Sequence, residues 1–141
     1  MNRILVDTNI VLDLLAGRKP FLKYAAKLFT EADQNKIKLY VSALSIANIH
    51  YMLSRLKSEK EARKILNKFK VLVSIVALDK KILDLSLSSE FKDFEDAIQY
   101  FSALEINAVS IITRNLQNYK TSKIPVQTAE EYLKSNLNCE W

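Results

Sequence analysis

A chain of 141 residues with a single glycine, Gly17, and two prolines has few means of making tight, irregular turns. Glycine takes positive φ without steric cost and proline presets the first corner of a turn, so an all-β sandwich of many short hairpins is disfavoured. Helices joined by short polar links are favoured instead. The same scarcity excludes the glycine-rich cradles of P-loop and dinucleotide sites, which one glycine cannot build.

Short β-rich runs alternate with longer helical patterns, the rhythm of a parallel sheet covered by helices. The first strand is expected over Arg3 to Val6, followed by a helix from Asn9 to about Ala16 with Gly17 near its end. Pro20 suits the first turn of a second helix, in which Phe21, Leu22, Ala25, Leu28, Phe29 and Ala32 recur at helical spacing until about Asn35. A second strand ends near Val41, and Ala43 to Arg55 reads as a third helix. Ser58 and Glu61 have capping-box spacing ahead of a fourth helix that runs to about Phe69. The run VLVSIVAL is expected to be a buried third strand. Asp79 can cap a fifth helix to about Leu87, and a sixth spans roughly Phe94 to Ile106. AVSIIT and IPVQ give a fourth strand and a short fifth, and Thr128 with Glu131 makes another capping-box pair before the last helix. No repeat, low-complexity tract or linker breaks this pattern, so residues 1–141 are expected to form one domain.

A hydrophobic share of 49% with 26% charged residues is that of a globular protein with one well-buried core. Apolar runs stay short of the roughly 18 residues a membrane helix needs, and the N-terminus lacks the features of a secretory signal, so the expected compartment is the cytoplasm. A lone cysteine, Cys139, rules out an intrachain disulfide and Cys-based zinc sites. The 21 Lys and Arg against 16 Asp and Glu give a formal +5, compatible with a polyanionic partner and with an ordinary solvated surface.

In a parallel α/β sheet, functional groups gather at the carboxyl ends of the strands, near the point where strand order reverses. Asp7, in ILVDTNIVLDLL, closes the first strand at such a junction. It can cap the next helix, yet Thr8 or Asn9 could take that duty and leave Asp7 pointing into a cleft. In FKDFEDAIQYFSAL, the acids Asp93, Glu95 and Asp96 complement a helix start. Asp96 directly precedes the apolar stripe and falls at the border of the buried face, where a carboxylate needs a partner or a cation. Asn48 is polar amid Ile46, Ala47, Ile49, Tyr51 and Met52, and is either satisfied by neighbouring backbone or part of a site. Arg114, Asn115 and Asn118 follow the fourth strand, where polar residues are ordinary turn chemistry unless they converge with Asp7. His50 is the only histidine, so a histidine-pair mechanism is unavailable.

Together, the Asp closing strand one in LVDTNIVLDLL, the polar residue in the helix after strand two, EDAIQYFSALE, and IITRN at the fourth strand resemble a PIN domain. The resemblance covers essentially the whole chain, and within the family it is to the small bacterial toxin ribonucleases of the VapC type. It implies a three-layer α/β/α sandwich on a central parallel sheet of four to five strands. It also implies a Mg²⁺- or Mn²⁺-dependent endoribonuclease, a homodimer without membrane association, that cleaves RNA and is silenced by a small antitoxin protein. Carried over by position, Asp7 matches the first family acid, Asn48 falls where a Glu is usual, and Asp96 matches the acid that opens the DA helix. Asn115 or Asn118 falls where a fourth residue, often Asp, would be. Asp7, Asn48, Asp96 and Asn115 are therefore the catalytic candidates and Asp7, Asp96 and Glu95 the metal ligands, with Glu95 or Asp93 turning inward to restore charge.

Mg²⁺ commonly binds through one or two carboxylates and keeps several waters, so two acids suffice. Amides at 48 and at 115 or 118 keep oxygen donors but remove charge, which lowers metal affinity. Two readings follow: a metal nuclease weakened by these changes, or a PIN-like module that binds nucleic acid or a protein partner. For RNA, Lys60, Arg63 and Lys64, with Lys68, recur at spacings of three and four on the fourth helix. They make either a phosphate-attracting stripe or a solvated face opposite Ala62, Ile65, Leu66 and Phe69.

Overall fold

Side chains on a strand alternate between its faces, and here the alternation feeds two separate cores. Ile4 and Val6 pack into one of them and Leu5 into the other, as do Leu39 and Val41 against Tyr40, and Ile112 against Ile111. A sheet buried on both faces in this way must carry helices on both, which is the layering of a parallel α/β fold.

The computed structural model describes residues 1–136; Cys139 lies outside them. In chain order the elements are β1 (Arg3–Val6), α1 (Thr8–Leu15), α2 (Leu22–Asp33), β2 (Lys38–Ser42), α3 (Ala43–Leu56) and α4 (Glu59–Phe69). A 3₁₀ turn (Lys70–Leu72) leads to β3 (Ser74–Val76), α5 (Lys80–Leu87), α6 (Phe94–Glu105) and β4 (Ser110–Ile112). A second 3₁₀ turn (Leu116–Tyr119), β5 (Val126–Gln127) and α7 (Ala129–Asn136) follow. The five strands are ordered β3-β2-β1-β4-β5 and all neighbours are parallel. Helices α1 to α4 and α7 cover one face, while α5, α6 and the second 3₁₀ turn cover the other. The protein is thus a three-layer α/β/α sandwich on a central parallel sheet.

From β1 the chain first builds outward through β2 and β3, then returns to place β4 on the opposite side of β1. The carboxyl ends of β1 and β4 therefore flank the switch point, where a parallel sheet opens a crevice. Backbone pairing holds this seam in register, with Leu5 beside Ile111 and the Asp7 N–H donating to the Ile112 carbonyl at 2.9 Å.

Local signals place most helix starts. The Ser58 hydroxyl accepts the Glu61 N–H at 3.1 Å and Asp79 accepts the Ile82 N–H at 3.0 Å. Thr128 and Glu131 form a reciprocal capping box, at 2.9 and 3.1 Å. Gly17 follows α1 with a φ of 63°, the left-handed conformation that glycine allows.

Two expectations need correction. Pro20 lies outside α2: the Leu22 N–H closes onto the Arg18 carbonyl at 2.7 Å, so residues 18 to 21 form a turn and the helix begins after it. The run VLVSIVAL is not a buried strand throughout. Val71 sits in the first 3₁₀ turn and is 80% exposed, and β3 is an edge strand in which Ile75 is also exposed and only Val76 is buried. An apolar run says nothing of sheet order, and an edge strand has a neighbour on one side alone.

Candidate active site

Asp7 leaves β1 in extended conformation and caps α1, its Oδ1 accepting the Thr8 N–H at 2.7 Å. Thr8 and Asn9 do not release it from that duty, because both are committed elsewhere. The Thr8 hydroxyl meets the Ser45 hydroxyl at 2.7 Å, and Asn9 accepts the Arg114 N–H at 3.2 Å and reaches the Thr113 hydroxyl at 3.4 Å. Asp7 does both jobs at once. Its Oδ2 also accepts hydrogen bonds from Thr113 at 2.8 Å, directly after β4, and from the Tyr119 hydroxyl at 3.1 Å. Burial pushes the Asp7 carboxyl above its ordinary range, against these three hydrogen bonds, and the charge of Asp93 adds to the rise.

Asp96 sits in the first turn of α6, whose N-cap is Asp93; the Asp93 carboxylate accepts the Asp96 N–H at 3.0 Å. Asp96 is 9% exposed, and its Oδ1 lies 3.4 Å from the same Tyr119 hydroxyl that binds Asp7. The carboxylates of Asp7 and Asp96 are thus no more than two hydrogen-bond lengths apart. Burial, then the charge of Asp7, then that of Asp93 raise Asp96 to about 6, with Asn118 and Tyr119 pulling the other way. Its Oδ2 is buried with no hydrogen-bond partner among the described residues. Tyr119, buried and facing two carboxylates, has its own ionisation driven far up, so its hydroxyl remains a donor.

An open cleft of about 460 Å³ runs over these groups and is also lined by Asn48, Asp93, Glu95, Gln99, Asn115, Asn118 and Arg18. Asn48 is not satisfied by backbone: its amide donates to Glu95 Oε1 at 3.2 Å, which ties the side chain of Glu95 to α3. Arg114 turns away from the cleft and pairs with Asp13. Asn115 and Asn118 are exposed at the cleft wall. Lys60, Arg63 and Lys64 lie on the exposed face of α4, none lines this cleft, and Arg63 is paired with Glu59 at 2.8 Å. His50 is likewise bonded to Glu59, at 3.0 Å.

At the cleft floor a polar knot joins three elements. The Ser45 hydroxyl contacts Ser42 at 3.1 Å and accepts from the Gln99 amide at 2.6 Å, while Gln99 Oε1 has no partner among the described residues. Such a knot holds α1, α3 and α6 in one geometry around the two acids.

The donor set fits one hard divalent cation. It offers two carboxylates, a buried Asp96 oxygen without a partner, and amide oxygens at the wall. It is sparse, however: among the described residues no group of three or more His, Cys, Asp or Glu side chains is arranged to hold a metal ion.

Residues 3–117 match the family model described as PIN domain. The chain belongs to the PIN domain family. It is 26% identical over 134 residues to Ribonuclease VapC1 of Aquifex aeolicus (strain VF5), covering 92% of each chain. Among solved structures it shares its fold with VapBC2 from Rickettsia felis bound to a DNA fragment from their promoter. That match has a TM-score of 0.67 and 16% identity, with 89% of this chain and 98% of that one covered. A toxin–antitoxin complex from Klebsiella pneumoniae matches with a TM-score of 0.64 and 24% identity over 89% and 97% of the two chains.

In this PIN domain the structure brings together Asp7, Asp96, Asn48, Glu95 and Asn115 around one cleft, and leaves the α4 basic residues outside it. Sequence reasoning missed Tyr119, Gln99 and Arg18. Tyr119 carried no signal, since an isolated tyrosine in a loop gains its meaning only from what the fold sets beside it.

Proposed function

We propose that this PIN domain is the toxin-type member of a toxin–antitoxin pair, a cytoplasmic protein that binds RNA at its cleft and is held by a protein partner. Its endoribonuclease centre is weakened to slow, metal-dependent turnover. The observation that carries this is the arrangement at the switch point: two carboxylates, Asp7 and Asp96, are bridged by a phenol, Asp93 and Glu95 are engaged by the Asp96 N–H and by Asn48, and amides stand at 48, 115 and 118. The name of the Aquifex aeolicus relative and the toxin–antitoxin complex from Klebsiella pneumoniae that shares the fold support the assignment.

Asp7 and Asp96 would hold a Mg²⁺ or Mn²⁺ ion, with Asn48, Glu95 and Asn115 within the same cleft. When bound, such an ion lowers the pKa of a water and stabilises charge developing on a phosphoryl oxygen. Thr113 and the Thr8 N–H fix the Asp7 carboxylate, and Gln99 with Ser45 fixes the helix that bears Asp96. Arg18, the one basic side chain lining the cleft among the described residues, offers a phosphate contact amid acids. Lys60, Arg63 and Lys64 add only a diffuse attraction for RNA. Exposed Leu85 and Leu87 on α5 and Leu104 on α6 offer apolar surface for a homodimer.

Cleavage of a mixed single-stranded RNA pool tests this, with the wild type compared against Asp96→Asn and RNA binding measured in parallel in chelator. Slow cleavage in Mn²⁺ that chelator and the substitution both abolish, with RNA binding retained in chelator, is the expected result. Equal cleavage by the two proteins, or no RNA binding, would overturn it. A fully active nuclease is the second reading, favoured by the partnerless Asp96 Oδ2 ready for an ion; rapid turnover in Mg²⁺ would select it.

A further inference from the structure

Tyr119 occupies an unusual place for a buried phenol. The residue is 2% exposed and its ring packs edge-on against Phe91, with centroids 6.2 Å apart, so its position is set by the core. Its hydroxyl oxygen lies 3.1 Å from Asp7 Oδ2 and 3.4 Å from Asp96 Oδ1. A hydroxyl has one proton to give. The two carboxylates therefore compete for a single donor, and the longer contact to Asp96 shows which of them is less well served.

On Asp7 the hydrogen bonds from Thr8, Thr113 and Tyr119 take up three of the roughly four acceptor positions a carboxylate has. A cation that binds through Oδ2 must share that oxygen with two hydroxyls. On Asp96, Oδ2 is the oxygen left open. A hard ion would gain most from the space between the two acids, and that space is where the Tyr119 hydroxyl points.

We propose that Tyr119 is a built-in substitute for the cation: its hydroxyl holds Asp7 and Asp96 together in the metal-free protein and competes with the ion for the oxygens they share. This rests on the reading that these two carboxylates bind a divalent ion. Asp96 Oδ2, buried without a partner among the described residues beside the shared oxygens, is then available to the bound ion, and full binding requires the phenol to give up its contacts. Tyr119 is a positioning residue that tunes metal affinity downward, adding to the effect of the amides at 48 and 115.

The test is Mn²⁺ affinity, read from the electron paramagnetic resonance signal of free Mn²⁺, for wild type, Tyr119→Phe and Asp96→Asn. Phenylalanine keeps the ring and its contact with Phe91 while removing the donor. The expected result is about tenfold tighter binding by Tyr119→Phe, the size of one lost hydrogen bond to a charged group. Damage to the site, or loss of a donor that oriented Asp7 for the ion, would weaken binding, so the sign separates the roles. Equal or weaker binding by Tyr119→Phe overturns the proposal. If wild type binds Mn²⁺, Asp96→Asn does not, and Tyr119→Phe is no tighter, the substitute role alone falls. If neither wild type nor Tyr119→Phe binds Mn²⁺, the cation reading of the cleft falls with it. Tyr119→Met, which also removes the hydroxyl, carries the same expectation should the phenylalanine variant not melt cooperatively in chelator.

Discussion

Arg114 and Asp13, 101 positions apart in the chain, meet in a two-pronged ion pair in which Nε and Nη2 of the guanidinium donate to the two carboxylate oxygens at 2.9 and 3.0 Å. Asp13 is 1% exposed, and the guanidinium also lies 4.0 Å from the centre of the Phe21 ring. The pair clamps α1 to the segment that leaves β4, just behind the cleft. Removing Arg114, itself partly exposed, leaves the buried Asp13 carboxylate without its cation. Arg114→Ala should therefore cost about 2 kcal/mol in chemical denaturation. A loss below about 1 kcal/mol, typical of a surface pair, would show that the clamp does not hold the fold.

In metal-free solution the protein should lose stability as pH rises from about 4 to 6. Asp96 is raised to about 6 in the folded chain from an ordinary 3.8, so across that window the folded state holds more protons than the unfolded one. The decline amounts to at most roughly 3 kcal/mol and then levels off. Asp7, raised as well, steepens it. Asp96→Asn should flatten the curve and stabilise the chelated protein at pH 7. Denaturation midpoints for both proteins across pH settle the matter, and parallel curves would contradict it. Glu31, held low by Lys27 and Lys36, slopes the opposite way at lower pH and cancels in the comparison.

Charge restored at the cleft wall should tighten metal binding. Asn115→Asp adds a carboxylate on the exit loop of β4, within the cleft that holds Asp7 and Asp96. Mn²⁺ affinity is expected to rise about tenfold or more, with faster RNA cleavage. The same change at Asn48 should help less, because a new acid there would face Glu95, which Asn48 now contacts at 3.2 Å. Isothermal titration of both variants checks the order.

Arg18→Ala should weaken RNA binding several-fold and lower the salt dependence by about one ion, as for loss of a single phosphate contact. Lys64→Ala, on α4 and away from the cleft, should stay within about twofold. Binding isotherms at several salt concentrations distinguish the two, and a larger loss at Lys64 would move the RNA path onto α4.

Much of this architecture was legible because each element announced itself locally. Ser58 with Glu61 and Thr128 with Glu131 mark helix starts by spacing alone, and the burial of β1 and β2 on both faces follows from their continuous apolar runs. Asp7 could be singled out because it closes a strand at the carboxyl edge of a parallel sheet, and Asp96 because a carboxylate beside an apolar stripe requires a partner. The edge position of β3 could not, since strand order is a property of the whole sheet. Nor could Tyr119, which is separated from Asp7 by 112 positions and acquires its role only through the fold. The double duty of Asp7 was hidden for the same reason: Thr8 and Asn9 look like rival caps until their partners Ser45 and Arg114 are in place.

The strand order carries a consequence for how such a protein comes into being. Asp7 emerges early in synthesis, whereas Thr113 and Tyr119 emerge more than a hundred residues later, and all three are joined only when β4 slots in beside β1. Until then β1 is an unfinished border, and its one carboxylate is held only by the local cap from the Thr8 N–H. A nascent or truncated chain that stops short of β4 therefore lacks the joined cleft, which is completed only once the molecule is nearly whole.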